Sequence, residues 1–149
     1  MKWIDVPPVW LAGAVVLAWQ QAARFPMGLH FGGAWADFVG GLLVGGGLLL
    51  LVIAVVQFRN HRTTVNPHGT PDALIQNGIY RYSRNPIYVG DALILLGVIL
   101  WRDAVLALPL LPVFVWITER RFILPEEDRL RRLFRADYAR YCQKTRRWV

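Results

Sequence analysis

A chain of 149 residues, 55% of them hydrophobic and with a mean hydropathy of +0.34, is one domain and too apolar for a soluble protein of its size. Its net charge of +7 would suggest nucleic acid in a soluble protein. Here the basic residues crowd particular loops and the tail, so membrane topology and anionic headgroups account for them and nucleic acid is excluded.

The first apolar run, residues 6–23, has Pro7 and Pro8 at its entrance. Lys2 ahead of an apolar core also fits a signal peptide, but no small-x-small cleavage site follows and the run is long enough to span a bilayer. A retained transmembrane helix is expected. After a short Gly-containing connection, residues 35–58 form the most hydrophobic stretch. Its Gly40, Gly41, Gly45, Gly46 and Gly47 include small-xxx-small spacings that let another helix approach closely.

A polar segment, residues 59–84, comes next. Its Asn66-Pro67-His68-Gly69-Thr70-Pro71 run cannot be a helix interior. Irregular segments of this length are usually functional or disordered, which draws Thr63 to His68 toward a site. At its end stands Asn77-Gly78-Ile79-Tyr80-Arg81-Tyr82-Ser83-Arg84-Asn85-Pro86-Ile87-Tyr88-Val89-Gly90. Asn85 is suited to cap a helix and Pro86 to its first position. Such an entrance presents free N–H groups and a positive dipole end to anions, and Arg81 and Arg84 add charge there.

The third apolar helix, residues 86–101, is short for a bilayer and carries Asp91, an intramembrane ionisable group and hence a functional candidate. The turn Arg102-Asp103 leads to a fourth apolar segment, residues 104–124, which Pro109 and Pro112 should kink or break early. Pro125-Glu126-Glu127-Asp128 opens the tail. There Leu130, Leu133, Phe134, Tyr138 and Tyr141 fall at i, i+3, i+4, i+8 and i+11, the stripe of an amphipathic helix lying on the membrane. Single Cys142 forms no internal disulfide, and His30, His61 and His68 lack ligand spacing, so no metal is expected.

The expected fold is therefore all-α: a polytopic membrane protein with about four transmembrane helices, the last two a hairpin, and a C-terminal amphipathic interfacial helix. Residues 1–149 make one domain, with two N-terminal transmembrane helices in 1–58 and the cofactor-binding core in 59–149. With the 59–85 segment and the tail inside, all but Arg24 and Arg102 of the 17 Lys and Arg residues are cytoplasmic. That bias fits both termini in the cytoplasm, and the expected location is a bacterial inner membrane.

A hairpin that leaves and returns brings Tyr80, Arg84, Asn85 and Tyr88 near Glu126 and Glu127. Arginines and helix amides suit a carboxylate, tyrosine rings a cation or purine, and a glutamate ribose hydroxyls. S-adenosylmethionine carries all of these.

The run Asn77-Gly78-x-Tyr80-Arg81-x-Ser83-Arg84-Asn85-Pro86-x-Tyr88-x-Gly90, then Gly97, Pro125-Glu126-Glu127 with Leu130, and Tyr138-x-x-Tyr141 with Arg146-Arg147-Trp148 resembles the isoprenylcysteine carboxyl methyltransferase and phospholipid methyltransferase superfamily. Thr63-Thr64-Val65-Asn66-Pro67-His68 resembles its small bacterial members, so the likeness covers about residues 59–148. It implies an S-adenosylmethionine-dependent enzyme acting on a hydrophobic or lipid-linked acceptor, isoprenylcysteine carboxylate-like or phospholipid amine-like. It also implies cofactor roles for Arg84, Asn85, Tyr88, Glu126 and Glu127. With Tyr80 and Gly90 these form the expected cofactor-binding set, and Glu127, His68 and Asp91 are the candidates for a catalytic base. Two departures stand out. The carboxyl-methylating branch usually has histidine where Asn85 stands, and the family commonly has Phe-Gly where this chain has Phe134-Arg135. The alternatives are an NADPH-dependent membrane reductase, since sterol reductases share a Pro-x-Tyr-x-Gly-Asp/Glu run like Pro86 to Asp91, and a non-catalytic membrane module. The Glu126-Glu127 pair favours the methyltransferase. The Gly-rich second helix and the third helix offer apolar walls through which an acceptor could arrive.

Overall fold

The computed structural model describes residues 4–63 and 70–149. All regular structure among them is helical: α1 (Pro7–Arg24), α2 (Ala34–Asn60), α3 (Pro86–Trp101), α4 (Leu110–Thr118) and α5 (Leu124–Lys144). Short 3₁₀ turns at Gly78–Arg81 and Val105–Ala107 precede α3 and α4, and a π-turn at Glu119–Ile123 joins α4 to α5.

At 27 residues α2 is about 40 Å long. The mean hydropathy of its most apolar window is 2.7 and only 17% of that window is buried, so most of its side chains point outward rather than into a protein core. It is the one described helix long and apolar enough to cross a membrane by itself. The 16-residue α3 is apolar but only about 24 Å long.

The most extensive contact in the molecule is between α2 and α3. The helices run antiparallel, so that Gly40 meets Gly97 and Gly47 meets Gly90. A Cβ on Gly47 would lie 2.6 Å from the Gly90 carbonyl oxygen, and one on Gly97 would lie 2.6 Å from that of Gly40. The useful spacing is thus seven residues on each helix, a stripe that returns to the same face after two turns. Gly41 and Gly45, which stand four residues apart, face open space instead, as does Gly46. This contact also closes the expected apolar passage between the second and third helices, because backbone meets backbone there.

Helix α1 lies across α3 and α4. Ala18 of α1, Leu95 and Ile99 of α3, Ala104 and Ala107 of the connection and Phe114 of α4 form the central apolar cluster. Polar ties mark the two ends of this bundle. At one end the Arg102 guanidinium sits 4.0 Å over the Trp19 ring, and the Phe31 N–H donates to Asp103 Oδ1 at 3.1 Å. At the other end Asp5 Oδ1 accepts from the Trp10 indole at 3.3 Å and from Arg121 Nε at 2.5 Å.

The fourth segment departs from the expected single span of residues 104–124. Pro109 is the N-cap of α4 and Pro112 lies in its first turn, where no N–H is required, so the prolines delay the helix rather than kink its middle. Nor does Pro125 begin a separate tail helix. The π-turn closes with an N–H···O bond from Leu124 to Glu119, and the chain passes through Pro125 without a break. The break comes ten residues later. Arg135 has φ 40° and ψ −110°, a left-handed conformation that favours glycine, at the step where the resemblance led to an expectation of Phe-Gly and this chain has Phe134-Arg135. The kink divides the amphipathic stripe: Leu133 stays exposed, while Tyr138 and Tyr141 turn inward and are buried against the protein.

Candidate functional site

The entrance to α3 is built by the turn before it. Gly78 has φ 59°, and a Cβ there would overlap the Gln57 side-chain amide, so glycine lets α2 and the turn close on each other. Behind it, the buried Tyr80 ring packs edge-on against Phe58 of α2 at 5.6 Å, together with Ala54 and Ile75. Pro86 occupies the first turn of α3 as its fixed φ predicts.

Asn85 holds the N-cap position but does not cap with its side chain. Its Nδ2 donates to the Arg147 carbonyl at 2.9 Å, and its backbone N–H donates to Ser83 Oγ at 3.1 Å. A buried amide must satisfy its own donors, and the C-terminal segment supplies the acceptor. The asparagine therefore fastens the chain terminus to the helix entrance.

Glu126 and Glu127 are adjacent in sequence but occupy different surroundings. Tyr88 O–H donates to Glu126 Oε2 at 3.4 Å, a long bond, and the Tyr88 ring stacks on Phe122 with centroids 6.5 Å apart. Residue Glu126 keeps a solvent-facing edge, but its carboxyl is enclosed by protein. Burial pushes that carboxyl from the ordinary 4.5 up to about 7, outweighing the opposing pull of Arg129 and the Tyr88 hydrogen bond. The Tyr80 phenol is raised too, first by burial and then by the Glu126 charge, as expected where both tyrosines converge on one carboxylate.

Glu127, by contrast, is 5% exposed and fully engaged. Arg147 grips it with two parallel bonds of 2.9 Å, from Nε to Oε1 and from Nη2 to Oε2. Arg84 Nη2 lies 3.6 Å from Oε1. The third Arg147 nitrogen reaches Glu119 Oε1 at 2.9 Å, and the Trp148 indole donates to Glu119 Oε2 at 3.1 Å. Two glutamates and two arginines thus balance each other in a lock that holds the C-terminal residues over the helix entrances. The lock is extended by Tyr141 O–H donating to the Tyr80 carbonyl at 2.6 Å and by Thr145 Oγ1 donating to that of Arg81 at 3.1 Å. The other Arg84 contact is Nη1 to Cys142 Sγ at 2.6 Å, and its buried Nε has no hydrogen-bond partner.

Among the remaining sequence candidates, Asp91 is 3% exposed and one turn beyond Tyr88 on α3, and its Oδ2 is buried without a hydrogen-bond partner. Among the described residues it makes no ion pair with a loop arginine. Gly90 faces the Gly47 backbone, so it serves the helix contact. His68 lies outside the described residues. Sequence reasoning missed Glu119 and Cys142. An acid closing an apolar run beside two arginines was the only signal for Glu119, and nothing local marked Cys142.

A helical, membrane-associated protein with a tyrosine–carboxylate corner and an arginine–carboxylate lock at one end of its bundle is the class this geometry defines. Residues 35–137, more than half of the chain, match the phospholipid methyltransferase family, and the chain belongs to that family. The family is one of membrane methyltransferases. No curated protein and no solved structure matches the chain. The match starts at α2, so α1 lies outside it.

Proposed function

We propose that the protein is an S-adenosylmethionine-dependent methyltransferase acting on a hydrophobic or lipid-linked acceptor. The observation that carries this reading is the Tyr80–Tyr88–Glu126 corner in a chain of the phospholipid methyltransferase family: a buried carboxylate whose hydrogen bond from Tyr88 is a long one, 3.4 Å, with the Arg129 charge nearby. Such a group retains acceptor capacity for ligand hydroxyls. Two further groups support the fit, the partnerless Nε of Arg84 and the uncapped first turn of α3, both suited to a ligand carboxylate.

When bound, the cofactor supplies a methyl group already activated on a sulfonium. The protein then has to align and exclude water, which is where most of the rate gain of such a reaction lies. Glu126 would accept the ribose hydroxyls, Tyr80 and Tyr88 would offer ring faces, and Arg84 would hold the carboxylate. Asp91, buried beside Tyr88, is the better candidate for accepting a proton from an amine acceptor or steadying its charge. Both Glu127 oxygens already accept from Arg147, which leaves that carboxylate a structural part.

Four membrane crossings with both termini cytoplasmic fit the charge distribution, since Arg24 and Arg102 share the end of the bundle opposite Arg84 and Arg147. Detergent-purified protein should bind S-adenosylhomocysteine and not NADPH, and should transfer labelled methyl groups to a lipid in vesicles. NADPH binding without S-adenosylhomocysteine binding would return the reductase reading.

A further inference from the structure

Where α3 passes α4, two apolar contacts bracket a polar layer. Nearest the site, the Tyr88 ring stacks on Phe122; deeper in the bundle, Leu95 and Phe114 share the central cluster. Asp91 falls between Tyr88 and Leu95 on α3, and Thr118 between Phe114 and Phe122 on the other strand of the hairpin. Steps of three and four residues keep each set on one helix face, so Asp91 and Thr118 stand opposite each other in the middle layer. Asp91 is 3% exposed and Thr118 1%. Asp91 Oδ2 and Thr118 Oγ1 have no hydrogen-bond partner among the described residues, each other included. A helical threonine ordinarily turns its hydroxyl back to a carbonyl three or four residues earlier, and Thr118 does not. The π-turn begins at the next residue, Glu119, an irregularity that often accompanies a functional position.

We propose that this layer is a buried water site, in which one water bonds both Asp91 Oδ2 and Thr118 Oγ1 and passes to Asp91 the proton that a methyl acceptor gives up beside Tyr88. Two polar partners are the least that hold a buried water, and water is the usual partner of polar groups enclosed this completely. Aspartate and threonine are also shorter than the rings and the leucine that bracket them, so the larger layers hold the helices apart where the polar side chains fall short of each other. The water site stands on the two orphaned oxygens; the relay rests on the function proposed above. Asp91 lies ~4.5 Å along the axis beyond Tyr88, a distance that one water bridges. As the acceptor nitrogen or sulfur bonds the methyl carbon, the bond from methyl to sulfonium breaks and its electron pair stays on sulfur. The acceptor proton goes to the water and a water proton goes to Asp91, leaving an intact water and a neutral carboxyl that later releases its proton to solvent. Thr118 touches only the water, so it is a positioning residue.

The test uses the full chain in lipid nanodiscs, with carbon-13 in the threonine and leucine methyls and water itself as the probe. Magnetisation transferred from water should reach the Thr118 methyl, whose signal Thr118→Ser identifies by removing it. It should not reach the methyls of Leu95, which is as deeply buried one layer further in. A wild-type Thr118 methyl that receives no more than Leu95 overturns the proposal, whether or not any variant folds. In methyl-transfer assays Thr118→Val keeps the shape of the side chain and removes the hydroxyl. It should lower kcat about tenfold, less than the roughly hundredfold that loss of a general base costs, because Asp91 remains. KM for the acceptor and affinity for S-adenosylhomocysteine should not change, and Thr118→Ser should keep the wild-type rate. A Thr118→Val enzyme as fast as wild type, or slowed only through weaker binding, overturns the relay. If water reaches Thr118 but the wild type neither binds S-adenosylhomocysteine nor transfers methyl groups, the water site stands and the relay falls with the methyltransferase reading.

Discussion

The corner around Glu126 and the lock around Glu127 are one residue apart and chemically opposite. In the corner a carboxylate is desolvated, held by a long bond from Tyr88 and lying within the field of Arg129. In the lock its neighbour is saturated by a two-pronged arginine and a second arginine, with Glu119 completing the set. Successive positions on a helix point about 100° apart, so one faces the α3 entrance with its tyrosines and the other faces the C-terminal segment. A pair of acids that looks like one motif is thereby split into a group with acceptor capacity to spare and a structural one. Unused hydrogen-bonding capacity, more than residue type, distinguishes them.

Removing the structural acid should have the largest effect. Glu127→Ala leaves Arg84 and Arg147 facing each other without their shared anion. Breaking a buried pair costs about 3–5 kcal/mol, and the one-third exposure of Arg147 brings the expectation down to about 2–4 kcal/mol. Thermal unfolding in detergent should show that loss even without any ligand. If Glu127→Ala is as stable as wild type, the lock holds nothing.

Glu126→Gln should behave in the opposite way. Stability is kept, while S-adenosylhomocysteine affinity falls about ten- to hundredfold through loss of a charge-assisted acceptor. Calorimetric titration of the folded variant checks this. Undiminished affinity would leave Glu126 as no more than a partner for Tyr88.

The raised carboxyl of Glu126 adds a pH signature that the lock lacks. Its value goes from 4.5 to about 7 on folding, so the folded state holds the proton more tightly. Its contribution to stability is therefore fully present below pH 4.5 and is lost as pH rises through about 7. Ligand binding needs the carboxylate and runs the other way: affinity for S-adenosylhomocysteine should increase between pH 6 and 8, by at most about tenfold per unit. Glu126→Gln should flatten that profile. A wild-type profile that is already flat would mean the ligand does not use this oxygen.

The smallest expected effect concerns the kink that separates the two regions. The bend at Arg135 turns Tyr138 and Tyr141 back toward Tyr80, which lets the terminus reach Glu127 and Glu119. A non-glycine residue at φ 40° stores about 1 kcal/mol or more of strain. Arg135→Gly should therefore raise the unfolding midpoint by about that equivalent, and Arg135→Ala should not. Equal stability of the two variants would place the strain elsewhere.

Much of the architecture could be read from the chain because it follows from local rules. Apolar runs of bilayer length, Pro86 at a helix start, the turn at Gly78 and the bias of Lys and Arg are all encoded within a few residues of where they act. The convergence of Tyr88 with Glu126 and of Arg84 with Glu127 was also legible, since an out-and-back hairpin leaves little choice about which ends meet. Other features depended on packing between distant segments. The heptad match of Gly40 and Gly47 with Gly97 and Gly90 is invisible until two helices are set antiparallel in register. The rotation of α5 decided which glutamate meets arginine. Asn85 gave up its cap because the carbonyl of Arg147, 62 residues away, came within reach. Local sequence determines which groups need partners; only the tertiary structure decides which partners arrive, because each buried donor binds whichever acceptor the packed chain brings nearest.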